Sequence, residues 1–172
     1  MTSCYPTWTY LDLIQTYDLP DKRRILAKKP VYSPNTIMNF LDSEEYSIFR
    51  FIATTAQMTE KMDQELFNST LFVCSDENLK KNYTEDFFMN LDRNTARTLL
   101  NYHTLTRQIN LKSLLTRRAC KIDTKNPKSQ LNIACQNGTI LINSQAYVLQ
   151  DIARSNGNIL IVDNLLAPEN FC

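Results

Sequence analysis

The chain has little glycine and histidine and no long apolar run. Its 172 residues include two glycines and one histidine, and each glycine follows an asparagine. A glycine-rich phosphate-binding loop is therefore excluded, because such a loop needs several glycines close together. No apolar stretch reaches the roughly 18 residues that span a bilayer, so no transmembrane segment is predicted. Any histidine-dependent mechanism would rest on His103 alone.

The chain also lacks an excess of either charge. Its 19 basic and 18 acidic residues nearly cancel, so we expect no overall field that attracts nucleic acid or an anionic membrane. The first residues, Met1 to Trp8, lack the basic and then apolar pattern of a secretion signal. The sequence therefore predicts a protein that acts where it is made rather than a secreted one.

The five cysteines are spread along the chain without close pairs, so the spacing of a zinc site is absent. We expect no metal and no cofactor. Two interpretations remain for the thiols: they are free, and mostly buried as cysteine usually is, or some of them form disulfides. The disulfides would be a link between Cys120 and Cys135, or an intermolecular link through Cys4 or Cys172.

Residues 1–35 form an amino-terminal arm with four prolines, which break long helices. The arm carries aromatic side chains of the kind that anchor protein interfaces, among them Tyr5, Trp8, Tyr10 and Tyr17. We therefore predict either an arm that docks on a partner or one that folds back on its own domain. A single domain is predicted at residues 36–168, and residues 169–172 form a tail.

The first half of the domain has mainly helical signals. A helix is predicted from Ser43, because the apolar residues that follow recur on one face: Ile48, Phe49, Ile52, Ala53 and Ala56. Polar residues are predicted to cap further short helices: Ser75, Thr84, Asp92 and Asn110. Residues 70–74 indicate a strand. Residues 121–130 are polar and contain a proline, so we expect an exposed loop there.

The last third of the chain has strand signals. Apolar residues alternate on both sides of Asn137-Gly138, a dipeptide typical of a tight hairpin turn with positive φ at both residues. A second dipeptide, Asn156-Gly157, leads into the apolar run 159–162, which reads as a buried strand. Both glycines are therefore predicted to stand where the backbone geometry demands them.

Three separated motifs follow one another along the domain. Residues 70–79 are an apolar strand followed by Asp-Glu and a short helix, and Tyr102-His103 follows two leucines. The third motif contains Asp151-Ile152, then an Asn-Gly, an apolar strand, an aspartate and Pro168. In order and spacing these motifs resemble the fasciclin domain family over about residues 36–168. The resemblance implies an α+β fold, a fasciclin-like β-sandwich or wedge with several short helices packed at one side.

The resemblance also implies a non-catalytic interaction protein, since fasciclin-like domains are associated with adhesion and matrix binding. In that family, contacts are attributed to the positions that are occupied here by Tyr102, His103, Asp151 and Ile152. The histidine of the family pair is also expected to be buried and hydrogen-bonded near the core. The partners are therefore predicted to be other proteins, and no nucleic acid is expected.

Three functions remain open at this point. The missing signal and the aromatic arm favour a structural protein, a minor capsid-type component that cements a large assembly such as a large DNA virus particle. It would act at the virion or a cytoplasmic assembly site, and its partners would bring it near any membrane. The alternative is an extracellular or cell-surface adhesion module that binds receptors, with glycans on Asn68, Asn82 or Asn137. The third is an enzyme in which Cys74, Cys120 or Cys135 acts with His103, although no nucleophile motif supports it.

Overall fold

The computed structural model describes residues 30–117 and 119–167, in which most helices precede most strands. Short 3-10 turns lie at Glu44–Tyr46 and Glu65–Phe67. In chain order, the α-helices of these residues are α1 (Ile37–Leu41), α2 (Ser47–Thr55), α3 (Thr59–Met62), α4 (Asp76–Asn82), α5 (Glu85–Met89), α6 (Arg93–Tyr102) and α7 (Leu111–Leu115). The longest have about two to three turns, so their stability must come from packing on the sheet.

One mixed sheet of seven strands organises the domain in the order β2-β1-β7-β6-β5-β4-β3. The strands are β1 (Ser69–Cys74), β2 (Thr104–Leu105), β3 (Ala119–Asp123), β4 (Gln130–Gln136), β5 (Thr139–Ile142), β6 (Ala146–Arg154) and β7 (Gly157–Val162). Strands β1 and β7 run parallel and every residue in them is buried, whereas all other neighbours are antiparallel. The mixed sheet and the short helices confirm the predicted α+β class.

The core lies between the helices and the sheet. The predicted apolar face of α2 is buried, and α2 packs against α6. The largest fully buried side chains include Phe49 of α2, Phe72 of β1 and Phe88 of α5. Cys74 is buried in β1, and all three cysteines of the described residues, Cys74, Cys120 and Cys135, are free. Of the two interpretations of the thiols, this structure has the free one for these residues, and the alternative Cys120–Cys135 link is not formed.

The predicted N-caps are confirmed. Ser75, Thr84, Asp92 and Asn110 each accept a hydrogen bond from the backbone N–H three residues later. The helix predicted from Ser43 begins later, at Ser47, after the 3-10 turn. Asp76 explains the shift, because its carboxylate accepts the N–H groups of Ser47 and Ile48 at 3.2 and 2.9 Å, and so satisfies the start of α2 from across the fold.

The prediction of an exposed loop at residues 121–130 was wrong at both ends. Strand β3 continues to Asp123 and β4 begins at Gln130, so the loop is limited to Thr124–Ser129. Strand β3 buries one apolar residue fully, Ile122 at 3% exposure, because it is an edge strand with few neighbours. Such a strand has too few apolar residues to show the period-two pattern on which the prediction depends.

The two Asn-Gly dipeptides serve different purposes. Asn137 and Gly138 have φ of 53° and 77°, which confirms a primed turn between β4 and β5. Neither Asn156 nor Gly157 has positive φ. Gly157 is glycine because a Cβ there would lie 2.3 Å from the Ser69 carbonyl oxygen and 2.7 Å from Ile37 Cδ1. Close packing of β7 against β1 and α1 therefore fixes this residue.

Candidate functional site

The Tyr-His pair lies at the end of α6, where the chain turns into β2. The His103 ring has no solvent exposure and both of its nitrogens are engaged by the backbone. Nδ1 lies 2.9 Å from the Leu99 carbonyl oxygen, and Nε2 accepts the Leu166 N–H at 3.0 Å. Phe49 packs edge-on against the ring, with the ring centroids 5.3 Å apart. His103 thus joins α6 to the segment that follows β7.

These contacts require a neutral imidazole. Nε2 can accept the Leu166 N–H only without its own proton, so Nδ1 carries the proton and donates to Leu99. Burial lowers the pKa of His103 from 6.5 to about 4, with a smaller opposite contribution from the hydrogen bond to Leu99. The expectation that the histidine is buried and hydrogen-bonded agrees with this arrangement.

Tyr102 is buried and contacts a turn of the sheet, so it does not form an exposed surface. Its side chain is 6% exposed and its hydroxyl accepts the Asn143 amide N–H at 2.7 Å. Asn143 and Ser144 have φ of 53° and 56°, and the Gln145 N–H donates to the Ile142 carbonyl, so they form a second primed turn, between β5 and β6. Asn143 also accepts the Asn132 N–H on its side-chain oxygen at 2.7 Å. Tyr102 therefore fixes one end of the outer strands.

Asp151 and Ile152 lie on β6 and are both partly buried. One carboxylate oxygen of Asp151 accepts the Leu111 N–H at 2.8 Å, at the first residue of α7. The other accepts the Asn158 amide at 2.7 Å, and that amide also donates to the Ile109 carbonyl. Asp151 therefore holds the segment before α7 against β7. Ile152 packs on the edge of the core.

An open depression of about 590 Å³ lies beside Asp151. Its walls come from α7 and the segment before it and from β6 and β7: Gln108, Ile109, Asn110, Lys112, Asp151, Ala153 and Asn158. Lys112 and Ala153 are exposed, whereas Asn158 is 5% exposed. Of the predicted contact residues in the described part of the chain, Asp151 is the one that lines this depression. Sequence reasoning missed Gln108, Lys112 and Ala153, which carry no motif of their own.

The four aromatic residues predicted to dock the arm, Tyr5, Trp8, Tyr10 and Tyr17, lie outside the described residues. Among those described, Tyr102 and His103 are buried at the end of α6, whereas Asp151 and Ile152 are partly buried on β6. The predicted partner contacts of these eight residues stay a prediction. His103 has no solvent-accessible surface and cannot touch a partner directly. It could affect partner binding only by stabilising the fold.

Comparison with known proteins agrees with this architecture. The family model described as the Fasciclin domain matches residues 44–168. The chain belongs to the fasciclin domain family. Its fold is similar to that of a FAS1 domain pair from the insect cell adhesion molecule fasciclin I, with a TM-score of 0.64 and 17% sequence identity. That match covers 80% of this chain and 52% of the other, so the chain spans about half the length of the matched structure. No curated protein matches.

Fasciclin domains are generally non-enzymatic interaction modules, and the geometry gives no support for the cysteine–histidine mechanism. Both nitrogens of His103 are committed to the backbone, and burial raises the pKa of the Cys74 thiol to about 12. Within residues 30–117 and 119–167, no group of three or more metal-binding side chains comes together. No helix in the same part of the chain has the length and apolar character needed to cross a membrane.

Proposed function

We propose that this fasciclin domain is a non-catalytic adhesion module that acts outside the cell and binds a protein partner. The matched structure comes from a protein whose description names it a cell adhesion molecule, which supports the adhesion alternative. The comparisons contain no capsid or viral context, so the assembly interpretation has no independent support. At 17% identity the matched structure shows the fold alone, and the contact surface depends on the residues of this chain.

The observation that carries the proposal is the depression beside Asp151. Tyr102 and His103 are buried supports, whereas Asp151 reaches the surface at a recess with exposed Lys112 and Ala153. The recess is concave and lined by amide, carboxylate and ammonium groups, which can orient the loop of a partner. We therefore place the partner contact at this recess. The hydrogen bonds of Asp151 to Leu111 and Asn158 keep its shape.

A cell-attachment assay on the immobilised full chain tests the proposal. Ala153→Arg would fill the recess from an exposed strand position and should reduce attachment about tenfold or more. Leu66→Arg is the matched control, since Leu66 is 91% exposed in the 3-10 turn before β1, outside the recess. The control should attach cells like the unmodified protein, and both variants should keep its thermal midpoint. Equal attachment by Ala153→Arg and the unmodified protein would refute the recess as the contact surface.

A further inference from the structure

The nearly zero net charge conceals two oppositely charged parts of the chain. Residues 42–92 contain eleven acidic and four basic residues, a net charge of −7. Residues 93–150 contain nine basic residues and one acidic residue, Asp123, a net charge of +8. The prediction that polyanions are not attracted rests on the net charge of the whole chain. It does not apply to residues 93–150, because the field near a surface depends on the charges close to it.

Much of this positive charge follows one edge of the sheet. Strand β3 is the edge strand next to β4, with Arg117 before it, Lys121 within it, and Lys125 and Lys128 in the loop after it. Arg107 lies two residues after β2, and β2 meets the loop after β3: Leu105 forms an isolated bridge with Thr124, and the Lys125 N–H donates to the Thr104 carbonyl at 2.8 Å. We name the group the basic edge: Arg107, Arg117, Lys121, Lys125 and Lys128.

The basic edge is long and open to solvent. The four steps of β3 from Ala119 to Asp123 span roughly 13 Å at about 3.3 Å per residue, and the group continues beyond both ends of this strand. Four of its five side chains are exposed and Lys125 is half-buried. Such a length suits an extended polymer better than a small anion.

In the described part of the chain, no carboxylate forms an ion pair with the basic edge. The acidic residue of β3 itself, Asp123, instead accepts a hydrogen bond from Gln130 at 2.7 Å. The Lys125 ammonium lies 4.2 Å from the Phe67 ring centroid, and its pKa is lowered by burial and then by the charge of Lys61. An added anion would therefore relieve repulsion between like charges as well as make new contacts.

Protection of an edge strand against pairing explains only part of this pattern. A lysine on the strand itself, as at Lys121, is a common way to prevent the addition of another strand. Arg107, Arg117 and Lys128 lie outside β3, where they protect no strand edge. These cations have no acidic partner among the described residues, and a ligand with negative charge would fit them.

We propose that the basic edge binds a sulfated polysaccharide. Sulfate groups repeat along such a polymer and would meet the spaced cations one after another, without any need for a deep pocket. Nucleic acid is less suited, because binding of single strands relies on stacked aromatic side chains. Within residues 30–117 and 119–167 the large exposed aromatic side chain is Tyr147, which lies on β6, three strands from β3. The choice of an extracellular polymer rests on the proposed adhesion function.

Heparin is the probe, and its affinity for the full chain is measured by calorimetry at several salt concentrations. Binding should weaken steeply with salt, because neutralised cations release counterions from a polyanion. The double variant Lys121→Gln, Lys128→Gln should bind roughly tenfold more weakly, and the slope of log Kd against log salt should fall by about two. The control double variant Lys81→Gln, Arg93→Gln removes the same charge from exposed positions on α4 and α6 and should stay within about twofold.

Equal heparin affinity of the two double variants would overturn the proposal. So would single-stranded RNA or phosphatidylserine vesicles that bind as tightly as heparin at equal salt, because the edge would then serve another polyanion. These measurements need no cells and no protein partner. Heparin binding without cell attachment would therefore refute the proposed adhesion function alone, and attachment without heparin binding would refute the polysaccharide site alone.

Discussion

Acid should destabilise the domain through His103, by an amount that follows from its burial. The pKa of His103 falls from 6.5 to about 4 on folding, so the unfolded chain binds the proton more tightly. A difference of about 2.5 pKa units corresponds to about 3 kcal/mol of unfolding free energy. That stability is complete above about pH 6.5, decreases as the pH falls, and is lost by about pH 4. Between pH 7.5 and pH 5 we expect a loss of about 2 kcal/mol.

Urea unfolding of the full chain at pH 7.5, 6 and 5 measures this loss, with His103→Gln as the variant that cannot titrate. Most carboxylates stay ionised above pH 5, so the histidine dominates this range. Asp76, whose pKa is raised by burial, works in the opposite direction but is present in both proteins, so it cancels in their difference. The unmodified protein should lose about 2 kcal/mol more than the variant over this range.

The same pH dependence in both proteins would refute the reasoning. A second readout covers the case in which His103→Gln does not fold. The chain has one histidine, so the imidazole proton signals of the unmodified protein report on His103 alone. A folded-state pKa near 6.5 in that titration would show that the ring is not held neutral by Leu99 and Leu166.

Two further predictions concern residues whose roles the structure explains. Gly157→Ala should lower the unfolding free energy by about 3 kcal/mol, because the new Cβ would clash with the Ser69 carbonyl oxygen. Gly138→Ala should lower it by about 1 kcal/mol, because only the positive φ of that residue disfavours alanine. Equal thermal midpoints of the two variants would contradict this difference. Tyr102→Phe should cost about 1 kcal/mol, because the Asn143 amide loses its partner, and an unchanged urea midpoint would show that this hydrogen bond adds no stability.

The helix starts could be predicted from the sequence because their causes are local. Ser75, Thr84, Asp92 and Asn110 cap helices through groups three residues away, so a short window of sequence contains the whole interaction. The hairpin at Asn137-Gly138 is local in the same sense. The late start of α2 was missed because its capping carboxylate, Asp76, comes from 29 residues further along the chain.

Asn156 shows why the rest could not be predicted. Its side chain is 1% exposed, accepts the Ile37 N–H at 2.9 Å and donates to the carbonyls of Met62 and Gln64 at 2.7 and 2.9 Å. These partners lie 119, 94 and 92 residues away, so no local pattern reveals them. Asn156 does lie in the turn between β6 and β7, but its buried side chain also joins this turn to α1 and to the end of α3, which the sequence does not indicate.

The same distinction applies to the candidate site. The residues that mark the family in the sequence, Tyr102, His103 and Asp151, are hydrogen-bonded to other elements and so support the fold. Tyr102 is bonded to the side chain of Asn143, whereas His103 and Asp151 accept backbone N–H groups. Residues that form the surface of a recess or an edge, such as Lys112 and Lys121, can change without cost to the core. Motifs therefore identify the fold, whereas the choice of partner must lie in the exposed residues that the motifs hold in place.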